Sequence, residues 1–565
     1  MNMHSYKRRI GATGLMMSAI SAMIGSGWLF SALHVGRIAG PASILAWIIG
    51  GLLVMIIALA YAEITTMLPI TGGSTRFPQL THGTFVSLFF GWITWFNLMT
   101  APAIEVQAML QYAANYWPFL LNESSEPQTL HSLHSLSPWG YAIATIMMIG
   151  ISIINIYSIR FITRLNNIFS FWKLVIPVMT AVVLMVSVFH THNFHNQYYG
   201  GFLPHGWKGV FIALATGGVL FAFNGFKQAV ELAGEAKNPS RTVLIGITAS
   251  LVIVLFIYLL LQIGFIGVLS QSSLEKGWIN LHFSGDAGPL AGLLMSLGVT
   301  WMAILLYIDA LVATSAAGLV YSTSASRTLY GLSSNRQLPK FLQEVNENGI
   351  PAKAVLVNFI IGMTFFLPFH SWYAMAEFMS SIIALSYITG PICCLCLRYQ
   401  LPKHDRVFKL PFITLWSFVG FYVCTLIVYW TGWKVVSKLG LSLFISFLLF
   451  IVYRLFSERP RSVHMNWHAS TWMWPYFTGL TVISYLGTFG GGIGMISFGT
   501  DFVYIGLLSV LCLYLAVRYR ATETHVLNTL QRFKEEISTG IPATVPKEAE
   551  DVGVLGEDVG RRTAV

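Results

Sequence analysis

At 565 residues, 55% of them hydrophobic and only 10% charged, the chain has a mean hydropathy of +0.66. Soluble domains carry about 25% charged residues, so this composition excludes a soluble globular protein and indicates an integral membrane protein. The net charge of +10 could suggest a nucleic-acid binder, but the placement of the basic residues excludes that reading too.

A bilayer core about 30 Å thick takes about 20 apolar residues per helix. Fourteen such spans are predicted, near residues 12–35, 42–68, 84–112, 138–158, 166–189, 209–232, 243–268, 290–325, 354–369, 376–398, 411–431, 439–456, 470–489 and 499–518. With the N-terminus in the cytoplasm, 21 of the 33 Lys and Arg fall in the N-terminal tail, the inner loops or the end of span 14. Five (Arg37, Lys208, Lys276, Lys434, Lys438) fall at outer loops, five in the C-terminal tail and two inside spans. That margin is the positive-inside rule. It predicts a multi-pass protein of the cell membrane with both termini cytoplasmic.

The start, MNMHSYKRRIGATG, sets basic residues before an apolar run, as a signal peptide would. The run is long and lacks a small-residue cleavage site, so it reads as span 1. Span 1, IGATGLMMSAISAMIGSGWLFSAL, is interrupted by Gly25-Ser26-Gly27. Span 2 carries Glu63 and span 3 carries Glu105. The outer loop 113–137 holds Glu123, Glu126, His131 and His134. Span 5 carries Lys173 in SFWKLVIPV, and the loop after it carries His190, His192, His195 and His205. Histidine-rich outer loops are more often solvated than metal-binding, and no metal site is expected. Span 6, VFIALATGGVLFAFNGFKQAVELAG, is interrupted at Phe223-Asn224-Gly225, with Lys227 directly after. Span 8 carries Asp309. The polar segment 332–354 reads as an inner loop with a short amphipathic helix. The five cysteines, Cys393, Cys394, Cys396, Cys424 and Cys512, lie in or beside apolar spans without zinc spacing and read as buried thiols. After Arg520 the pattern allows one polar helix, ETHVLNTLQRFKEEI, and then a disordered remainder.

Glycine weakens a helix interior, and in lipid the freed N–H and C=O groups need partners. Two flexible or closely packed helices would also tolerate glycine. A matched pair of breaks in two halves points instead to a transporter's binding site. Five spans per half reverse topology, so spans 1–5 and 6–10 would form an inverted repeat pairing the two breaks. This divides the chain into a ten-helix core (1–400), four additional spans (401–520) and a cytosolic tail (521–565).

Four ordered motifs carry a family resemblance: IGSG in span 1, AYAEITTMLPITGGSTRFP after span 2, FAFNGFKQAVELAGEAKNPSR in span 6 and SASRTLYGLSSNRQLPKFL at the end of span 8. Together the chain resembles the amino acid–polyamine–organocation (APC) superfamily over roughly residues 10–400. APAIEVQAMLQYA in span 3, YIDALVATSAAGLVYSTSASR in span 8 and the extra C-terminal spans are most similar to its aspartate/glutamate transporter branch. The resemblance implies the leucine-transporter fold, a bundle rocking against a scaffold. It implies that Ile24, Gly25, Ser26 and Gly27 bind a substrate carboxylate. Ala222, Phe223, Asn224 and Gly225 would then offer carbonyls to an ammonium group, with an aromatic lid. Asn224 departs from the family pattern. The resemblance also sets Lys173 where sodium-coupled relatives hold a cation.

A charge at the bilayer centre costs about 3 kcal/mol on insertion scales, so each buried ionisable group needs a partner or a purpose. Glu63 reads as a scaffold contact. Lys173 is either a proton-exchanging group or a fixed strut to the first break. Lys227 lies about 12 Å of helix from the polar Glu235–Lys237 stretch, too deep to snorkel easily, and would attract a second carboxylate. Asp309 and Glu105 are candidate proton carriers or counter-charges. The expected function is therefore secondary active, proton-coupled uptake of an acidic amino acid by alternating access. Exchange, transport of neutral amino acids, or sensing without transport are the alternatives. An intramembrane enzyme lacks the clustered catalytic groups it would need, and no GxxxxGK[ST] motif supports primary pumping. No cofactor is implied. The expected partners are an amino acid, a proton and the lipid bilayer; oligomeric state is left open.

Overall fold

A computed structural model of the chain describes residues 10–70, 72–122, 135–157, 159–334, 337–347, 349–457 and 465–539. The charged stretch of the outer loop (Glu123, Glu126, His131, His134) and the expected disorder beyond Thr539 lie outside the described residues. Those residues are α-helical, with no strand among them.

The helices, in order, are α1 (Ala12–Met23), α2 (Gly27–Ala39), α3 (Ser43–Met67), α4 (Gly73–His82), α5 (Thr84–Ala113), α6 (Pro138–Tyr157), α7 (Ile159–Ser187), α8 (Gly206–Thr216), α9 (Val219–Ala222), α10 (Lys227–Glu231), α11 (Pro239–Val268) and α12 (Gln271–Leu274). They continue as α13 (Pro289–Ser296), α14 (Thr300–Ser334), α15 (Ala352–Thr364), α16 (Trp372–Tyr387), α17 (Thr389–Gln400), α18 (Ile413–Trp430), α19 (Trp433–Phe456), α20 (Met473–Leu486), α21 (Thr500–Arg518) and α22 (Glu523–Thr539). α5 packs along α14 and α16, while α11 packs along α1, α3 and α7. α1 and the short helices α8 to α10 thus sit among long helices on every side.

Nine described helices are long and apolar enough to cross a membrane, or eleven if each bent pair is one span. The sequence leads to an expectation of fourteen, and the differences are local. The first span is split into α1 and α2, and α2 runs on through α3 as one apolar stretch, Gly27–Met67. α15 and α20 have 13 and 14 residues, below the length of a straight crossing. Span 8 also departs from its expected bounds: α13 stops at Ser296, Gly298 takes a left-handed φ of 75°, and α14 then runs on to Ser334. Among the described residues of 332–354 the expected amphipathic helix is reduced to one 3-10 turn, Lys340–Gln343. Two prolines at Pro339 and Pro351 bracket that segment, and the residue before a proline is driven out of the helical region.

The polar helix expected after Arg520 is present as α22, and it docks on α4. Ala521 N donates to Thr81 O at 2.8 Å, His525 Nε2 lies 3.1 Å from Gln79 O, and the Arg76 guanidinium sits 4.6 Å over the Phe533 ring.

Candidate binding site at two helix breaks

The first break begins where α1 stops at Met23. Ile24 leaves the helical region (φ −86°, ψ 83°), and the chain re-enters helix at Gly27. Three carbonyls at the end of α1 find new donors. Ser21 O accepts from Lys173 Nζ at 3.0 Å, Ala22 O from the Tyr321 hydroxyl at 3.0 Å, and Met23 O from the Tyr258 hydroxyl at 3.0 Å. Inside a membrane an irregular backbone survives only with such replacements. On the other side of the break, Ser26 N donates to Glu105 Oε2 at 2.9 Å. A Cβ at position 25 would lie 2.7 Å from Glu105 Oε1, so the missing side chain of Gly25 makes room for that carboxylate.

The second break lies between α8 and α10. Gly218 takes φ 97°, and a Cβ there would meet Ser31 Oγ at 2.5 Å. After one turn of α9, Asn224–Phe226 form a 3-10 turn leading into α10. A Cβ on Gly225 would lie 2.3 Å from Met23 N and 2.5 Å from the Ala22 carbonyl carbon. The two breaks are therefore in backbone contact. Gly27 is close as well, since a Cβ there would lie 3.2 Å from Ala222 Cα. The Asn224 amide pairs reciprocally with that of Asn97 on α5 at 3.3 Å, and Asn224 Oδ1 accepts from the Tyr387 hydroxyl at 3.3 Å.

The expected aromatic lid is placed differently. Phe223 is fully buried and packs edge-on against Trp47 and against Tyr258, the ring whose hydroxyl bonds Met23 O. Phe221 and Trp372 cover the break instead. Trp372 Nε1 donates to Ser26 Oγ at 3.0 Å, and its ring stacks on Phe30 at 4.8 Å and meets Phe221 edge-on at 5.9 Å. Sequence reading missed Trp372, Tyr258, Tyr321, Phe221 and Asn97. Only the position of Trp372 at a helix start, after Ser371 as N-cap, carried a local signal.

The buried charges divide into three groups. Glu63 is a structural knot: Arg398 grips it at 2.6 and 2.8 Å, Arg406 approaches to 3.6 Å, and Leu410 N donates to it at 2.8 Å. This is the scaffold contact expected from the sequence. Glu105, Lys173 and Asp309 form a second group around the first break, close enough for Lys173 to interact electrostatically with both carboxyls. Asp309 Oδ1 accepts from Trp172 Nε1 at 2.8 Å, and its buried Oδ2 has no hydrogen-bond partner among the described residues. Lys227 stands apart. Its ammonium donates to Ser386 O at 2.9 Å and Ser386 Oγ at 3.2 Å, between the rings of Tyr61 and Tyr387 at 5.3 and 5.0 Å. One aromatic ring, Tyr387, links it to Asn224. Among the described residues no group of His, Cys, Asp or Glu has metal-binding geometry. His205 Nδ1 lies 2.8 Å from Ile38 O.

The family description "Amino acid permease" matches residues 10–453. The chain belongs to the amino acid permease family of the APC superfamily. These are transporters, not enzymes. The chain is 33% identical over 542 residues to the glutamate/serine transporter AimA of Bacillus subtilis, an alignment that covers 95% of this chain and 98% of that protein. It is 30% identical over 516 residues to the aspartate-proton symporter of the same organism, covering 91% and 96% respectively. A branched-chain amino acid permease, BcaP, from that organism is 25% identical over 473 residues, covering 80% and 93%.

Proposed function

We propose that this permease is a proton-coupled secondary transporter that takes up an acidic amino acid by alternating access at the two breaks. The observation that carries the reading is the Ser26 amide, which opens α2 and already holds a carboxylate at 2.9 Å. The first turn of a helix presents unpaired N–H groups and partial positive charge, so this is where a substrate α-carboxylate would sit. Ile24, Gly25 and Gly27 shape that cradle, and the carbonyls of Ala222 to Gly225 face the ammonium group. Proton coupling is assigned to Glu105, Lys173 and Asp309, three ionisable groups within one electrostatic cluster. The names of the two Bacillus relatives, one a glutamate/serine transporter and one an aspartate-proton symporter, support the substrate class and the coupling ion.

In this reading residues 1–400 form an inverted-repeat core, with spans 11–14 and the tail added to it. The protein lies in the cell membrane with both termini cytoplasmic, a reading supported by the distribution of basic residues. A second reading, transport of a small neutral amino acid, is favoured by one observation. Lys227 already donates to Ser386, so a substrate side-chain carboxylate must compete with that carbonyl. Uptake of radiolabelled aspartate, glutamate and serine into proteoliposomes, with and without an inward proton gradient, decides between the two. Serine uptake that aspartate and glutamate fail to compete would overturn the acidic assignment; uptake indifferent to the gradient would overturn the coupling.

A further inference from the structure

We propose that Glu105 is a tethered stand-in for the substrate's α-carboxylate, and that substrate and proton are coupled because the two carboxylates compete for the Ser26 amide. The inference rests on the proposed placement of the substrate at the first break.

Three observations carry it. The Glu105 carboxylate is seated on Ser26 N at 2.9 Å, reaching it across from α5. The Ser26 side chain is its further hydrogen-bonding partner. Room for the second carboxylate oxygen exists only because residue 25 has no side chain. A permease that carries amino acids therefore fills its own carboxylate cradle with a carboxylate from its own chain. The Ser26 amide can hold one such group, and two carboxylates a few ångströms apart cannot both stay ionised.

Entry of a substrate carboxylate must therefore displace Glu105. The displaced side chain is buried among apolar neighbours on α5, where an unpaired ion is strongly disfavoured. It leaves as the neutral acid, taking one proton from the water that admitted the substrate. The number of carboxylates on the Ser26 amide is then conserved, with Asp309 beside Lys173 unchanged, while the zwitterionic substrate and its proton together add one positive charge to the site. Before binding, the cradle holds one carboxylate, Glu105, opposite the Lys173 ammonium; afterwards it holds one carboxylate, the substrate's, opposite the same ammonium, with Glu105 neutral. On the inner side the substrate departs, Glu105 releases its proton to the cytoplasmic water, and its carboxylate returns to Ser26 N. Lys173, tied to Ser21 O at 3.0 Å, stays in place as the fixed counter-charge.

The competition involves only the α-carboxylate, so it acts alike on every amino acid the site accepts. Coupling and side-chain selectivity become separate properties of the molecule.

The test uses the purified full-length protein with L-glutamate, L-aspartate and L-serine as ligands. Binding to wild type should take up about one proton per ligand, read by an indicator dye in weakly buffered solution. The wild-type Kd should rise with pH, approaching about tenfold per pH unit on the alkaline side, with the same slope for each ligand that binds. Glu105→Gln should bind with a Kd that is flat in pH, at least as tight as wild type in alkaline solution, and without proton uptake. Absence of proton uptake by wild type overturns the inference whatever the variant does. So does a Glu105→Gln protein that keeps the wild-type slope, or one that binds more weakly than wild type at every pH. If Gly27→Val binds like wild type, or none of the three ligands binds wild type, the substrate placement itself fails, and the competition falls with it.

Discussion

Among single residues, the glycines at the breaks act by absence. Any side chain on Gly225 would enter the backbone of α1's last turn, 2.3 Å from Met23 N. Gly225→Ala must therefore push the two breaks apart, and uptake should fall by at least about tenfold while the protein still folds, as thermal melting can confirm. Gly27→Val should abolish uptake in the same way, through Ala222 and Phe221. The second residue prediction concerns charge reading. A charge-assisted hydrogen bond from Lys227 to a side-chain carboxylate is worth about 1.5–3 kcal/mol, or roughly 10- to 150-fold in affinity. Lys227→Met should weaken aspartate and glutamate by that order and serine far less, as competition by unlabelled amino acids would show. Equal losses for all three would return Lys227 to a purely structural role on Ser386. At this scale the sequence was legible where a residue type is rare in its setting. A lysine or carboxylate inside an apolar span, and glycine pairs inside a helix, announce themselves. Trp372, Tyr258 and Tyr321 did not, because aromatic residues are ordinary in such spans and only the packing shows that their hydrogens serve the break.

Whole elements are joined by polar knots as well as by the close packing of their buried apolar side chains. The Glu63–Arg398 pair ties α3 to α17, with Leu410 N as a further donor. Removing Arg398 strands the buried Glu63 carboxylate at a cost of about 3–5 kcal/mol. Arg398→Gln should lower the melting temperature clearly while leaving the substrate Km near its wild-type value. Arg37 of α2 reaches Asp286 at 2.8 Å and Leu281 O at 2.9 Å, locking the tip of α2 to the loop before α13. His282 shares that Asp286 oxygen at 2.8 Å, and this bond raises its pKa above the ordinary imidazole value. A raised pKa means a stabilisation present in acid and lost as pH rises through the shifted value. The melting temperature of wild type should thus fall over the range just above the ordinary histidine pKa, and His282→Gln should flatten that part of the profile. Helix existence was readable at this scale, since long apolar runs admit little else. Helix ends were not: span 8 is split at Gly298, and α15 stops at Thr364, because turns there depend on neighbours that a single apolar run does not reveal.

In the proposed reading the whole molecule couples two events, carboxylate binding at the breaks and proton movement in the cluster of Glu105, Lys173 and Asp309. Lys173→Ala would leave Ser21 O without its ammonium donor and the cluster without its cation. Uptake by this variant should lose its response to an inward proton gradient while the wild type, with choline in place of sodium, keeps it. A sodium requirement in wild type, or an unchanged pH profile in the variant, would remove Lys173 from the coupling. Legibility at this scale came from order. The two glycine breaks and the four motifs recur in the sequence of a known family, while the contact between the breaks needed three dimensions.

The docking of α22 on α4 has a bearing on how this protein can be handled. α4 in turn holds the bundle, since Gly72 N donates to Glu231 O at the end of α10 and the Ser74 hydroxyl bonds the Glu231 carboxylate. A fluorescent protein or affinity tag fused close behind Arg520 would compete for the surface that α22 occupies. A tag that is to leave this contact intact must therefore be joined beyond Thr539, the last residue of α22.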